Sequence, residues 1–115
     1  MQVAQGGHPY TLIHPDELRR RLERGEPFAV VDARSDETLR ESGRTIAGSV
    51  RIPAPELVGR IHELPRGRTL LLLADLAEQA ERAQELSRAG VTDVYVIEGG
   101  FDAFVRAGGD TVSIS

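Results

Sequence analysis

Short apolar runs alternate with amphipathic stretches along this chain, and that alternation predicts its elements. Phe28–Val31, Leu70–Leu73 and Val94–Ile97 are apolar or aromatic throughout. Runs of this length, bounded by polar turns, fit strands buried on both faces. Tyr10–Ile13 and Val50–Ile52 are shorter strand candidates, the second ended by Pro53.

The stretches between them have helical spacing. His14-Pro15-Asp16-Glu17 starts a first helix, with Pro15 in the first turn and acids near the positive end of the dipole. Leu18 and Leu22 share a face, Glu17 and Arg21 are spaced to pair, and Gly25 stops the helix. Ser35 can cap a short helix through Ser42, with Gly43 as its stop. Pro55–Leu64 is predicted helical from Leu57, Ile61 and Leu64, and Pro65-Arg66-Gly67-Arg68 is a turn. A helix from near Ala80 would place Leu76, Ala80, Ala83, Leu86 and Gly90 on one face. A last short helix over Phe101–Ala107 closes at Gly108-Gly109. Residues 1–9 read as a loose tail, 10–110 as one domain and 111–115 as a short polar end.

Strands apolar throughout and separated by helices predict an α/β fold: a mostly parallel sheet of about five strands, flanked by helices on both faces. Ligands of such sheets sit at the carboxyl ends of the strands. That rule singles out Asp32–Arg34, Ala74–Gln79 and Glu98–Phe101.

Composition narrows the chemistry. The 115 residues include no cysteine, which excludes disulfides, thiolate metal sites and a thiol nucleophile in this chain. All 14 basic residues are arginine. Without lysine there is no Schiff-base chemistry and no Walker-type phosphate loop. The all-arginine usage fits codon bias in a GC-rich genome better than dedicated anion recognition. A net charge of −4 argues against a nucleic-acid binder. No apolar stretch approaches the roughly 20 residues of a membrane span. The first residues lack a signal-peptide pattern, so the expected location is the cytoplasm. His8, His14 and His62 are scattered and form no ligand set, and no metal or cofactor is expected. Arg19, Arg20, Arg21 and Arg24, offset by Glu17, Glu23 and Glu26, are expected to form a solvated face.

Three collinear motifs carry a family resemblance. Val30-Val31-Asp32-Ala33-Arg34 runs a strand into Asp-x-Arg. Ile46-Ala47-Gly48-Ser49-Val50-Arg51-Ile52-Pro53 follows, and then Val94-Tyr95-Val96-Ile97-Glu98-Gly99-Gly100-Phe101-Asp102-Ala103-Phe104. In this order and spacing they resemble the rhodanese homology domain over roughly Thr11 to Gly109. Ala47, Ser49 and Phe104 replace the Pro, Ala and Trp usual in that family. The resemblance implies a rhodanese-like parallel sheet, and sulfur transfer by a cysteine at the end of the fourth strand. Aligned on Glu85-Leu86, Ala74 takes the cysteine position, and a slip of one residue puts Asp75 there.

Neither residue can do the family's chemistry. Accepting a sulfane sulfur and passing it on requires a polarisable thiolate, stabilised by inward-pointing backbone N–H groups at a helix N-terminus. The loop Ala74-Asp75-Leu76-Ala77-Glu78-Gln79 also lacks the family's Gly, Arg and hydroxyl residues. That degeneracy implies long divergence rather than one lost thiol. Asp75 and Glu78 would repel an anionic sulfur donor, and they would equally suit the N-terminus of the following helix. For Asp32 and Arg34 the expected role is to brace the strand end, with ligand binding as the alternative. Gly48, Gly99 and Gly100 belong to the motif turns, where a tight turn is favoured over close approach to a ligand.

The sequence therefore predicts a catalytically inactive rhodanese-like module that binds a protein partner at the Ala74–Gln79 loop or acts in regulation, without nucleic-acid or membrane binding. The alternative is an accessory component of a sulfur-transfer pathway, working with a thiol-bearing partner. An enzyme using Asp75 as nucleophile or base ranks third, because no acid, metal ligand or phosphate clamp adjoins it.

Overall fold

The computed structural model describes residues 10–114. The predicted tail at 1–9, with His8, lies outside them. The main sheet contains β1 (Thr11–Ile13), β2 (Phe28–Asp32), β4 (Val50–Arg51), β5 (Thr69–Leu73) and β6 (Val94–Ile97). All pair in parallel, in the order β1-β6-β5-β2-β4. The central strands β2 and β5 are in register from Phe28 opposite Thr69 to Asp32 opposite Leu73.

Alternate residues of each strand feed opposite faces, which is why continuous apolar runs are needed. Ala29, Val31, Leu70, Leu72, Val94 and Val96 pack on one side with Leu57, Leu64, Ala83 and Leu86. Phe28, Val30, Leu71, Leu73 and Ile97 pack on the other with Leu18, Ile46, Phe101 and Phe104. The first face is covered by the 54–64 segment and α3 (Gln79–Arg88), and the second by α1 (Pro15–Glu23) and α4 (Gly100–Arg106). The short α2 (Asp36–Ser42) buries none of its residues. It is capped by the Ser35 hydroxyl on the Thr38 N–H and stopped at Gly43, as its sequence predicts.

Several sequence expectations are corrected. Pro55–Leu64 is not an α-helix but two 3₁₀ turns, Ala54–Glu56 and Ile61–Glu63. Pro53 and Pro55 remove amide donors and Gly59 interrupts the segment, so i→i−3 bonds such as Leu57 N–H to Ala54 O close its turns. Its apolar spacing still serves the core, because Leu57 and Leu64 are buried.

The buried face of α3 is Gln79, Ala83 and Leu86. Leu76, Ala80 and Gly90 are exposed, because a 3₁₀ turn at Leu76–Glu78 precedes the helix and rotates Leu76 outward. On α1, Glu17 pairs with Arg20 rather than Arg21. Arg21 instead pairs with Glu26 at 2.7 Å and lies over the rings of Phe28 and Tyr95, so the basic face is only partly solvated.

The polar end is not structureless. Val112–Ser113 forms β7, antiparallel to β3 (Arg44–Thr45). The Arg44 guanidinium donates to the Thr111 hydroxyl at 2.9 Å and to its carbonyl at 2.8 Å.

Candidate functional site

The carboxyl ends of β2, β5 and β6 meet at one edge of the sheet, and each motif delivers its residues there. Asp32 is the last residue of β2, and both Asp32 and Arg34 are 2% exposed. Arg34 closes a two-pronged pair on Asp32: Nε to Oδ1 at 2.9 Å and Nη2 to Oδ2 at 2.7 Å. Nη2 also donates to the Arg44 carbonyl at 2.7 Å, and the Thr45 hydroxyl donates to Asp32 Oδ2 at 2.7 Å. The Arg34 guanidinium carbon sits 4.2 Å from the centre of the Phe101 ring. A buried charge this fully engaged joins β2, β3 and α4, and most of its donors are spent within the protein.

Ala74 follows β5 directly and is buried, and Asp75 is half-buried beside it. Asp75 does not cap the following helix. Its Oδ1 accepts the Ser35 N–H at 3.0 Å, which ties the loop to the start of α2. Burial pushes the Asp75 carboxyl up. The hydrogen bonds from the Ser35 backbone and from the Ser35 and Thr38 side chains, with the Arg34 charge, outweigh it and hold the carboxyl below its ordinary value. Glu78 makes no side-chain capping bond either. Gln79 is buried, and its amide donates to the Ile97 carbonyl at 3.3 Å, anchoring the other end of the loop to β6.

Leu76 projects from this loop, 62% exposed. Its foot rests on Gly100, where an added Cβ would come 3.3 Å from Leu76 Cδ1. Gly99 and Gly100 both hold positive φ, +80° and +81°, which turns the chain sharply from β6 into α4. Gly48 is exposed in the Ile46–Ser49 turn and does not line this hollow. What remains between Arg34, Ala74, Asp75, Gly99 and Phe101 is a hollow of about 70 Å³.

The structure thus gathers Asp32, Arg34, Ala74, Asp75, Gly99 and Gly100 at one edge and leaves Gly48 outside it. Thr45, Ser35 and Thr38 join the network, and of these the sequence signals only Ser35, as a helix cap. Their partners are 13, 40 and 37 positions away in the chain, and pattern reading does not reach that far. No thiol, imidazole or amine stands among the hollow's lining residues. Among the described residues no group of three or more His, Cys, Asp or Glu is placed to hold a metal ion. No helix among them is long and apolar enough to cross a membrane.

This fold, with an Asp-x-Arg brace and a Gly-Gly turn at the sheet's carboxyl edge, defines a rhodanese-like α/β domain. The family model for the rhodanese-like domain matches residues 14–107, and the chain belongs to that family. It is similar to the rhodanese-like domain of an Anabaena protein solved in solution, with 28% identity over 90% of this chain and 79% of that one, at a TM-score of 0.75. A rhodanese-related protein from Thermoplasma volcanium shares the fold at 22% identity, covering 90% and 98% of the two chains, with a TM-score of 0.70. The chain also matches 17% of the length of Bacillus anthracis CoADR-RHD, over 86% of its own, at 25% identity and a TM-score of 0.68. No curated protein matches significantly.

Proposed function

We propose that this chain is a non-catalytic rhodanese-like module that uses the Ala74–Gln79 loop to bind a protein partner. The observation that carries the reading is the Asp75–Ser35 bond. Where a sulfurtransferase needs an open, anion-accepting cradle, this chain places its own carboxylate, already satisfied, beside a hollow of about 70 Å³. Such a site repels an external sulfur anion and has no atom to carry the sulfur. The same loop presents one prominent apolar residue, Leu76, with Asp75, Glu78 and Asp102 near it. An exposed apolar anchor with a charged rim is the chemistry of a protein contact, and its complement is an apolar pocket with basic edges.

The test separates these two statements. Thiosulfate should show no binding below millimolar concentration by calorimetry, and thiosulfate:cyanide sulfur transfer should stay at background. For partner binding, Leu76→Arg/Glu78→Arg changes two exposed side chains and leaves the Asp75–Ser35 bond intact. A partner captured with the wild-type chain, then purified, should bind the variant at least tenfold more weakly. Equal affinity would remove the loop from the interface and the proposal with it.

A further inference from the structure

A far larger hollow than the one beside Asp75 lies at the opposite end of the sheet. At the amino ends of β2, β5 and β6, an open cleft of about 620 Å³ runs between the 61–69 segment and the 90–93 turn. Sites for small molecules commonly enclose about 300–1,000 Å³, whereas the hollow beside Asp75 offers about 70 Å³.

The cleft has two chemically distinct parts. Its floor is the hydrophobic core itself: Ala29, Leu64 and Leu70 are buried, and Val91 packs against them. Its rim carries His62, Arg66 and Arg68, with Asp93 contributed by the second turn. Arg66 and Arg68 flank Gly67, whose φ of +75° makes the turn that sets them on this rim. Neither is in an ion pair among the described residues. Arg60, in the preceding segment, is held by both Glu56 and Glu63. In a chain of net charge −4, two uncommitted guanidiniums beside an apolar floor stand out against the overall charge. Guanidinium groups grip phosphate and carboxylate oxygens two at a time, and an apolar floor covers a non-polar body.

We propose that this cleft binds a small organic anion, a phosphate or carboxylate head on a ring-sized apolar body. Arg66 and Arg68 hold the head, and the Ala29–Leu64–Leu70 floor covers the body. The cleft shares no residue with the Ala74–Gln79 loop, so the proposal stands or falls independently of partner binding there.

The test is a titration of the ¹⁵N-labelled full chain at low ionic strength, with phenyl phosphate and benzoate as probes. Inorganic phosphate and benzyl alcohol supply the head and the body alone. Saturable shifts are expected at residues 61–69 and 90–93, with a dissociation constant tighter than about 1 mM, and at least fivefold weaker binding of head or body alone. Whichever of phenyl phosphate and benzoate binds more tightly names the head group. Arg66→Ala/Arg68→Ala should weaken binding at least tenfold, its fold verified in the same spectra. Asp93→Asn should tighten binding about twofold, because it removes a negative charge and asparagine tolerates the left-handed φ of +59° at that position. Absence of saturable shifts, shifts centred on Ser35, Asp75 and Gly99, or unchanged affinity in the double arginine variant would each overturn the proposal.

Discussion

Asp32 and Arg34 show what a buried ion pair does in this chain. Neither charge is stable alone in the core, and the two are joined by a two-pronged pair of hydrogen bonds. Arg34→Met leaves the Asp32 carboxylate buried with the Thr45 hydroxyl and the Arg34 backbone N–H as its remaining donors. The expected loss is about 3–5 kcal/mol, read as a lower urea midpoint. The double variant Asp32→Asn/Arg34→Met should recover part of that loss. Asp75 behaves differently because its partners are hydrogen-bond donors near the surface. Its folded carboxyl lies below the ordinary 3.8. The bond therefore contributes stability above that value, and the contribution is lost as pH falls through the lower, folded one. A ¹³C titration of the Asp75 carboxyl should give a value under 3.8. In parallel, the stability advantage of wild type over Asp75→Asn should shrink below about pH 4. A titration at or above the ordinary value would break the link between Asp75 and Ser35.

At the scale of elements, the ends of helices decide more than their middles. The turn after α4 packs against Phe104 so closely that a Cβ on Gly109 would lie 2.2 Å from the ring. Gly109→Ala should therefore cost about 1–3 kcal/mol in chemical denaturation. Combined with Phe104→Leu, which removes the obstructing ring atoms, the two losses should sum to more than the double variant shows. The loop into α3 hangs on Asp75 at one end and Gln79 at the other. Gln79→Ala leaves the Ile97 carbonyl unpaired by this loop. It should raise amide hydrogen exchange across 75–79 while leaving β5 protected.

For the whole molecule, the parallel sheet separates two edges of different character. The carboxyl edge is braced and filled, and the amino edge is open. Restoring the thiol alone should not restore chemistry. Ala74→Cys would place a buried sulfhydryl beside a carboxylate, and both influences raise a thiol pKa. Cyanide-dependent thiocyanate formation by that variant is expected at background; turnover above it would mean that the cradle still forms.

Much of this was legible in the chain. Continuous apolar runs at Phe28–Val31, Leu70–Leu73 and Val94–Ile97 imply strands buried on both sides. Three ordered motifs imply the fold, and the absence of cysteine excludes the thiol chemistry, because composition and short-range periodicity carry those facts directly. Tertiary structure decided the rest. The Pro55–Leu64 periodicity looked helical, but its prolines and glycine allowed only 3₁₀ turns that place the same leucines in the core. The acids Asp75 and Glu78 looked like helix-end charges, but Asp75 turns to a backbone N–H forty residues earlier in the chain. Val112 and Ser113 read only as part of a short polar end until Arg44 and Thr45 supplied a strand to pair with. For Asp75 and for Val112–Ser113 the deciding partner is remote in sequence, and only the folded chain brings it within reach; in the 54–64 segment the prolines and glycine act locally, and it is the leucines' place in the core that folding decides.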